Sequence, residues 1–307
     1  MTKTIFIDGA AGTTGLEILE RLSNRPEFSL ITLADAERKD LNRRKQALNS
    51  ADFVILCLPD AASIEAVSLI ENNRTRVIDA SSAHRVSSGW TYGFPELSSD
   101  QRAAIASASR VSNPGCYPTG FLALVAPLVA AGLIPADQRL SMNAVSGYSG
   151  GGKELIARFE ADGDLGFRSY GLSLAHKHLP EMQQGAGLAY PPLFAPAVVP
   201  VFRGMIVEVP IYADAPIADA AFDALARHYA GSALVSVARG DGADELLMRM
   251  DNPASDQMDL SLYASPDGCQ LRLVARLDNL GKGASGACIQ NLNIMAGLDE
   301  TTGLRLS

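Results

Sequence analysis

The 307-residue sequence predicts an α/β protein: a Rossmann-type doubly wound parallel sheet, then a second, α+β domain with a mixed or antiparallel sheet. Three observations predict it. Short apolar strands alternate with helical patterns through the N-terminal third. A glycine-rich turn joins the first strand to the first helix, and from about Gln138 the texture changes to strands with polar alternation separated by long loops.

Thr4-Ile5-Phe6-Ile7-Asp8 is a β-branched and aromatic run, the first strand, and Leu16 to Leu22 has helical spacing. Between them, Gly9-Ala10-Ala11-Gly12-Thr13-Thr14-Gly15 reads GxxGxxG, a variant of the dinucleotide fingerprint. Its glycines permit a tight turn and close backbone approach to a pyrophosphate, which rests on the helix N-terminus. Gly9, Ala11, Gly12, Thr13, Thr14 and Gly15 are therefore candidate cofactor-binding residues, although glycine turns also join strands to helices where nothing binds. Phe28 to Asp35 reads as the second strand. Asp35 falls roughly 20 residues beyond the last glycine, where NAD proteins carry a ribose-binding acid. Arg38 and Lys39 follow, and basic residues there suit a 2′-phosphate, so NAD and NADP are both open. The nearly continuous apolar run Ala51 to Pro59 has the character of a parallel strand covered on both faces, with Cys57 in the core. A helical pattern from Ala62 to Ile70 and a strand from Arg76 to Ala80 complete the alternation, whose ligands bind at the carboxyl ends of the strands.

In the second part, Leu140 to Val145 and Met205 to Pro210 are predicted strands, and the Pro/Ala-rich stretches 190–196 and 213–216 are predicted loops. Ser146-Gly147-Tyr148-Ser149-Gly150-Gly151-Gly152-Lys153 is a second glycine-rich loop without the GK[ST] ending of a nucleotide triphosphate site. Small residues at helical spacing run from Ser285 to Met295 and include Cys288.

Hydrophobic residues make up 47% and charged residues 20%, the composition of a globular chain with a sizeable core. The net charge of −8, with no Lys/Arg cluster, argues against nucleic acid and anionic membranes and favours a small-molecule enzyme. Neither a signal-peptide pattern nor a membrane-length apolar run is present, and the four cysteines lack metal-site spacing. A cytoplasmic protein with reduced thiols and no metal is expected.

Cys116 sits among turn formers in Ser112-Asn113-Pro114-Gly115-Cys116-Tyr117-Pro118-Thr119-Gly120, just before the apolar run Phe121 to Val125. A cysteine at a helix start faces unpaired N–H groups and the positive helix end, which favour the thiolate. Burial as a small hydrophobe is the competing reading. Two of only four histidines fall in His176-Lys177-His178, and imidazole is the acid/base best matched to neutral pH. If that segment is extended, alternation puts both rings on one face, and position does not separate them. Arg85, just past the strand end at Asp79 to Ser82, and Arg203, in Pro200 to Gly204, are candidate anion binders, with salt bridging as the alternative.

Five segments together resemble the N-acetyl-γ-glutamyl-phosphate reductase family, in its shorter form, related to aspartate-semialdehyde dehydrogenase. They are the Gly9 to Gly15 loop, Tyr92-Gly93-Phe94-Pro95-Glu96-Leu97, Pro114 to Thr119, His176-Lys177-His178-Leu179-Pro180-Glu181-Met182, and Asp278-Asn279-Leu280-Gly281-Lys282-Gly283-Ala284. The resemblance implies NADPH-dependent reduction of N-acetyl-γ-glutamyl phosphate to the semialdehyde in arginine biosynthesis, with NAD a possible substitute. It implies Cys116 as the nucleophile forming a thioester and His176, the first of the pair, as the acid/base. Arg85, Arg203 and His178 would contact substrate, and Ser146, Gly147 and Asn279 would lie at the cofactor. The late helix would return to the first domain, giving a dinucleotide-binding domain of 1–116 with 284–307 and a catalytic and dimerisation domain of 117–283 in a homo-oligomer, dimer or tetramer. One segment departs: Ala83-His84-Arg85 stands where the family commonly has acidic-aromatic-arginine. The same chemistry on aspartyl phosphate or an amino-adipyl phosphate, and a non-catalytic NADP-binding protein, are the alternatives.

Overall fold

The computed structural model describes residues 2–34, 37–240 and 244–306, so Asp35 lies outside the described residues. In chain order the elements are β1 (Lys3–Asp8), α1 (Thr13–Leu22), β2 (Phe28–Ile31), α2 (Leu41–Ser50), β3 (Phe53–Leu56), α3 (Asp60–Ser68), β4 (Arg76–Asp79), β5 (Thr91–Tyr92), α4 (Gln101–Ser107) and β6 (Arg110–Ser112). There follow α5 (Cys116–Ala130), β7 (Ser141–Gly147), α6 (Gly152–Ala161), β8 (Arg168–Ser169), α7 (Leu179–Gly185), β9 (Leu193–Val199) and β10 (Met205–Tyr212). The last are α8 (Ala218–His228), β11 (Val235–Arg239), β12 (Met258–Ala264), β13 (Gln270–Leu277) and, after a π-type turn over Gly281–Ser285, α9 (Gly286–Ala296).

Two compact units result. The first comprises the chain up to Pro95, Asp100–Pro114 and Ala284–Leu304; the second comprises Glu96–Ser99, Gly115–Gly283 and the residues from Arg305. Individual bonds explain where the divisions fall. Glu96 belongs to the second unit because Lys282 and His228 both bind it, and Arg305 because its N–H donates to Asp256 Oδ2 at 2.7 Å.

The first unit is a wholly parallel six-stranded sheet in the order β2-β1-β3-β4-β6-β5. The order reverses beside β1, so the glycine turn leaving β1 stands at a topological switch point. Alternate residues of the same strands feed two cores. Ile5, Ile7, Phe53, Ile55 and Ile78 pack with Ile18 and Leu22 of α1 and with Cys288, Ile289 and Leu292 of α9. Phe6, Val54, Leu56 and Val77 pack on the opposite side with Leu48 and Ala66. Burial on both faces is why β3 reads as unbroken apolar sequence. β2 ends at Ile31, short of Ala34, whose N–H donates to Glu37 Oε2 at 3.0 Å.

The second unit is a mixed seven-stranded sheet, β11-β12-β13-β10-β7-β9-β8, with β11/β12 and β7/β9 parallel and the other pairs antiparallel. The stretch 190–196, expected to be a loop, instead runs into β9 from Leu193, with Pro196 opposite Ala144. Proline is tolerated there because the outer neighbour, β8, is only two residues long and leaves little ladder to interrupt. Along β10, Met205, Val207, Val209 and Ile211 are buried, while Ile206, Glu208, Pro210 and Tyr212 form part of an open face. Helix α5 covers the buried face. It is apolar all round and buried nearly throughout, and Gly120 lets it approach so closely that a Cβ there would stand 2.9 Å from Val207.

Pro127 lies inside α5 and supplies no N–H for the carbonyl of Ala123 four residues back. Tyr229 replaces the missing donor, its hydroxyl reaching Ala123 O at 2.8 Å. Burial, with Glu96 adding to it, pushes that hydroxyl well above its usual pKa, so it stays a donor. Among the described residues no helix is long and apolar enough to cross a membrane. Tyr229→Phe is expected to lower stability by about 1–3 kcal/mol, because it strands a buried carbonyl, read as a lower urea midpoint at unchanged slope.

Candidate active site

Cys116 is the first residue of α5, with Gly115 at the N-cap in extended conformation (φ −73, ψ 149) and no side-chain cap. The thiol therefore stands at the positive end of the helix dipole, which favours the thiolate. The surrounding backbone is held on three sides. Gly115 N–H donates to Glu181 Oε2 at 3.1 Å, Thr119 Oγ1 donates to Gly115 O at 2.9 Å, and Gly283 lies where a Cβ would come within 2.8 Å of Cys116 Cβ. Gly283 belongs to the π-type turn after β13, and its neighbour Lys282 is paired to Glu96 at 2.7 Å with the two side chains 1% and 2% exposed.

Tyr117, next in the helix, begins a cluster of rings. His176 meets Tyr117, Tyr170, His178 and Phe194 edge-on, with centroids 6.3, 5.7, 4.6 and 5.0 Å away. Tyr170 donates its hydroxyl to Tyr117 Oη at 3.2 Å, and Tyr117 donates to Ala197 O at 3.3 Å. Burial foremost pushes Tyr170 up to about 12 and Tyr117 well above its usual value, with the Cys116 charge contributing to both. Both are neutral donors at physiological pH, and Tyr117 follows Cys116 directly in α5. The N–H of His178 donates to His176 Nδ1 at 3.2 Å, which puts the proton of the neutral ring on Nε2. The segment is a turn rather than extended chain: His178 is helical (φ −85, ψ −11) and 6% exposed, whereas His176 is half-buried. Of the other cysteines, Cys57 is pushed up to about 12 by burial and then by Asp79 and Asp8, and burial raises Cys288 well above its usual value.

In the first unit, Gly9 has φ +88, and a Cβ there would meet Cys57 O at 2.3 Å; one at Gly15 would meet Gly9 O at 2.5 Å. Gly12 caps α1 without a side-chain bond, so the first-turn N–H groups face outward over a glycine floor. That cradle fits a pyrophosphate, with Ala11, Thr13 and Thr14 completing its rim.

Residues 4–105 match the family described as semialdehyde dehydrogenase, NAD binding domain, and residues 116–279 that described as semialdehyde dehydrogenase, dimerisation domain. The chain is 48% identical over 319 residues to the N-acetyl-gamma-glutamyl-phosphate reductase of Trichormus variabilis, covering 98% of each chain. It is also 48% identical over 311 residues to N-acetyl-gamma-glutamyl-phosphate reductase 2 of Pseudomonas putida, covering 98% of this chain and 99% of that one. The chain belongs to the N-acetyl-γ-glutamyl-phosphate reductase family. Aspartate semialdehyde dehydrogenase II of Vibrio cholerae shares the fold, with a TM-score of 0.74 at 18% identity over 97% of this chain and 99% of that one. So does the aspartate semialdehyde dehydrogenase with NADP of Candida albicans, at a TM-score of 0.66 and 14% identity over 96% and 98%.

Within this reductase-family chain the predicted residues are not all disposed alike. His176 and His178 share the ring cluster with Tyr117, the residue after Cys116. Arg203 pairs with the buried Asp278 at 2.9 Å. Arg85 donates from Nε to Asn113 O at 3.0 Å and from Nη2 to Ala80 O at 3.1 Å, clamping the end of β4 to the segment after β6. Asn279 accepts from Gly204 N–H at 2.8 Å and donates to Ser149 Oγ at 2.9 Å, tying the second glycine loop to the 200–204 turn. Gly147 is required there, since a Cβ would stand 2.6 Å from Val201 O, and Ser146 Oγ bonds Gly147 O at 2.9 Å. Arg38 is exposed just past β2, its Nε 3.3 Å from Leu33 O. A groove of about 450 Å³ on the open sheet face, lined by Asn143, Val145, Ile206, Glu208, Tyr263 and Arg272, holds none of these residues.

Sequence reasoning missed Tyr170, Phe194, Glu181 and Arg168. Arg168 lies 4.4 Å over the Tyr170 ring, two residues away on the same strand side, a spacing that marks the pair once β8 is known. His84 was also passed over, yet its Nδ1 lies 2.6 Å from the fully buried Asp79 and its ring stacks on Trp90 at 4.1 Å. A histidine in place of the family's aromatic residue was the available signal. Lys282→Met should cost about 3–5 kcal/mol by leaving the Glu96 carboxylate buried alone, and adding Glu96→Gln should return part of that loss in thermal unfolding.

Proposed function

We propose that this protein reduces N-acetyl-γ-glutamyl phosphate to N-acetylglutamate 5-semialdehyde and phosphate, in arginine biosynthesis, through a thioester on Cys116. The observation that carries the reading is Cys116 at the first turn of α5, followed directly by Tyr117, whose ring meets His176 edge-on, in a chain nearly half identical to reductases of that name. The thiolate attacks the acyl carbon, the carbon–oxygen bond to phosphate breaks, and the acyl group stays on sulfur. Gly9, Gly12 and Gly15 would hold a nicotinamide cofactor, which when bound would supply the hydride for the thioester carbonyl. His176, protonated by taking the Cys116 proton, gives it to the resulting oxygen and takes it back as the hemithioacetal collapses, when the carbon–sulfur bond breaks, the aldehyde leaves and the thiolate returns. The rings of Tyr117, Tyr170 and Phe194 keep water from the thioester and fix the imidazole plane.

NADPH is the proposed reductant, since the exposed Arg38 suits a 2′-phosphate where Asp35 would suit a free ribose. Arg85, Arg203 and His178 are the proposed substrate contacts, joined by Arg168, whose guanidinium rests on the Tyr170 ring. Ser146, Gly147 and Asn279 shape the loop proposed to lie at the cofactor, and the protein is assigned to the cytoplasm. The open face of the second sheet, in the region matching a dimerisation domain, is the proposed contact with a second copy.

The deciding assay is NADP-dependent, phosphate-requiring oxidation of N-acetylglutamate semialdehyde. Cys116→Ser should abolish it and His176→Asn should lower kcat by about 10²- to 10⁴-fold. A higher kcat/KM for aspartate semialdehyde would sink the substrate assignment. Ile206→Glu on the open face should yield monomers in sedimentation; an unchanged oligomer would refute the proposed contact.

A further inference from the structure

Glu181 is charged, 2% exposed and absent from the chemistry above. It lies in the first turn of α7, three residues past His178, and its Oε2 accepts the N–H of Gly115, the residue before the nucleophile. The histidine segment and α7 are one hydrogen-bonded piece: Leu179 N–H donates to His176 O at 3.0 Å and Met182 N–H to His178 O at 3.2 Å. The Glu181–Gly115 bond therefore connects the segment carrying the imidazole to the helix carrying the thiol. We propose that Glu181 is a positioning residue that sets Cys116 against His176 by locking the Gly115 peptide. The inference rests on the thioester reading for its kinetic consequences, though not for its geometry.

The choice of a carboxylate has an electrostatic side effect. A helix N-terminus stabilises any nearby anion, and a carboxylate already lodged there opposes a second charge on the adjacent sulfur. The elements packed about the thiol also carry Tyr117 and Tyr170, neutral at this pH, the two histidines and, next to Gly283, the Lys282–Glu96 pair. Glutamine at 181 keeps an oxygen for the Gly115 N–H and removes the charge; alanine removes both.

The test uses Glu181→Gln and Glu181→Ala on a Cys57→Ala, Cys269→Ser background, because both of those thiols are partly exposed whereas Cys288 is buried. Glu181→Ala should lower kcat by at least about tenfold with KM changed by less than about twofold, as displacement of a nucleophile does. Glu181→Gln should recover kcat to within about threefold, and its Cys116 should react with iodoacetamide at about pH 6.5 at least about threefold faster than in the parent. Full kcat in the alanine variant, no rescue by glutamine, or an unchanged alkylation rate in the glutamine variant would each overturn the proposal. If the alanine variant does not fold, the two glutamine readouts decide. A parent enzyme inactive on N-acetylglutamate semialdehyde would fail the function above, while the alkylation rates would still judge Glu181.

Discussion

The burial of α5 is the constraint on which the second unit depends. A helix apolar on every side must be enclosed, so the sheet covers it on one side and α7 and α8 pack against others. Enclosure then forbids any unmet backbone group along its length. Tyr229 answers the carbonyl that Pro127 leaves open, and Glu181 receives the N–H that precedes the first turn. Cys116 stands at the N-terminus of α5, the positive end of the helix dipole. Packing and chemistry are thus consequences of the same arrangement: the requirement that hides the helix leaves its positive end as a fixed electrostatic feature beside a thiol.

The charged groups of this unit follow the same logic. Lys282 and Glu96 are both enclosed and offset part of their desolvation through each other, which pins the π-type turn that presses Gly283 against Cys116. Asp278, also buried, accepts from Arg203, Ser255 N–H and Leu280 N–H. Asn279 divides its amide between two loops. Residues that look like ligand contacts in the sequence spend much of their bonding capacity holding loops in register.

The first unit solves a different problem. Its parallel strands end at one edge, where the glycines of the β1 turn keep side chains away from the helix N-terminus and leave N–H groups for an anion. Asp79, at the end of β4, is fully buried and accepts from Ser63, from the N–H and hydroxyl of Ser81, and contacts His84, so the loop after β4 is built around a saturated carboxylate. Arg85 continues that loop as a clamp between main-chain carbonyls.

Local pattern carried a good part of this protein. Hydrophobic periodicity located β1, β3 and β4 because both faces of a parallel sheet must be apolar, and the glycine turn was legible because only glycine tolerates φ +88 against the Cys57 carbonyl. Cys116 and the paired histidines stood out because thiol and imidazole are scarce and set among turn residues. Other features depended on contacts between residues distant in sequence. Whether 193–196 is loop or strand was decided by β7 and the two-residue β8; whether Arg203 is a free cation, by Asp278 75 residues away. Glu181, read only as part of a motif, acquired a partner 66 residues earlier. Sequence alone determined which residue types and turns exist, because those depend on neighbours along the chain. The tertiary structure decided which of the charged side chains are spent on the fold, because that depends on what burial brings within hydrogen-bonding distance.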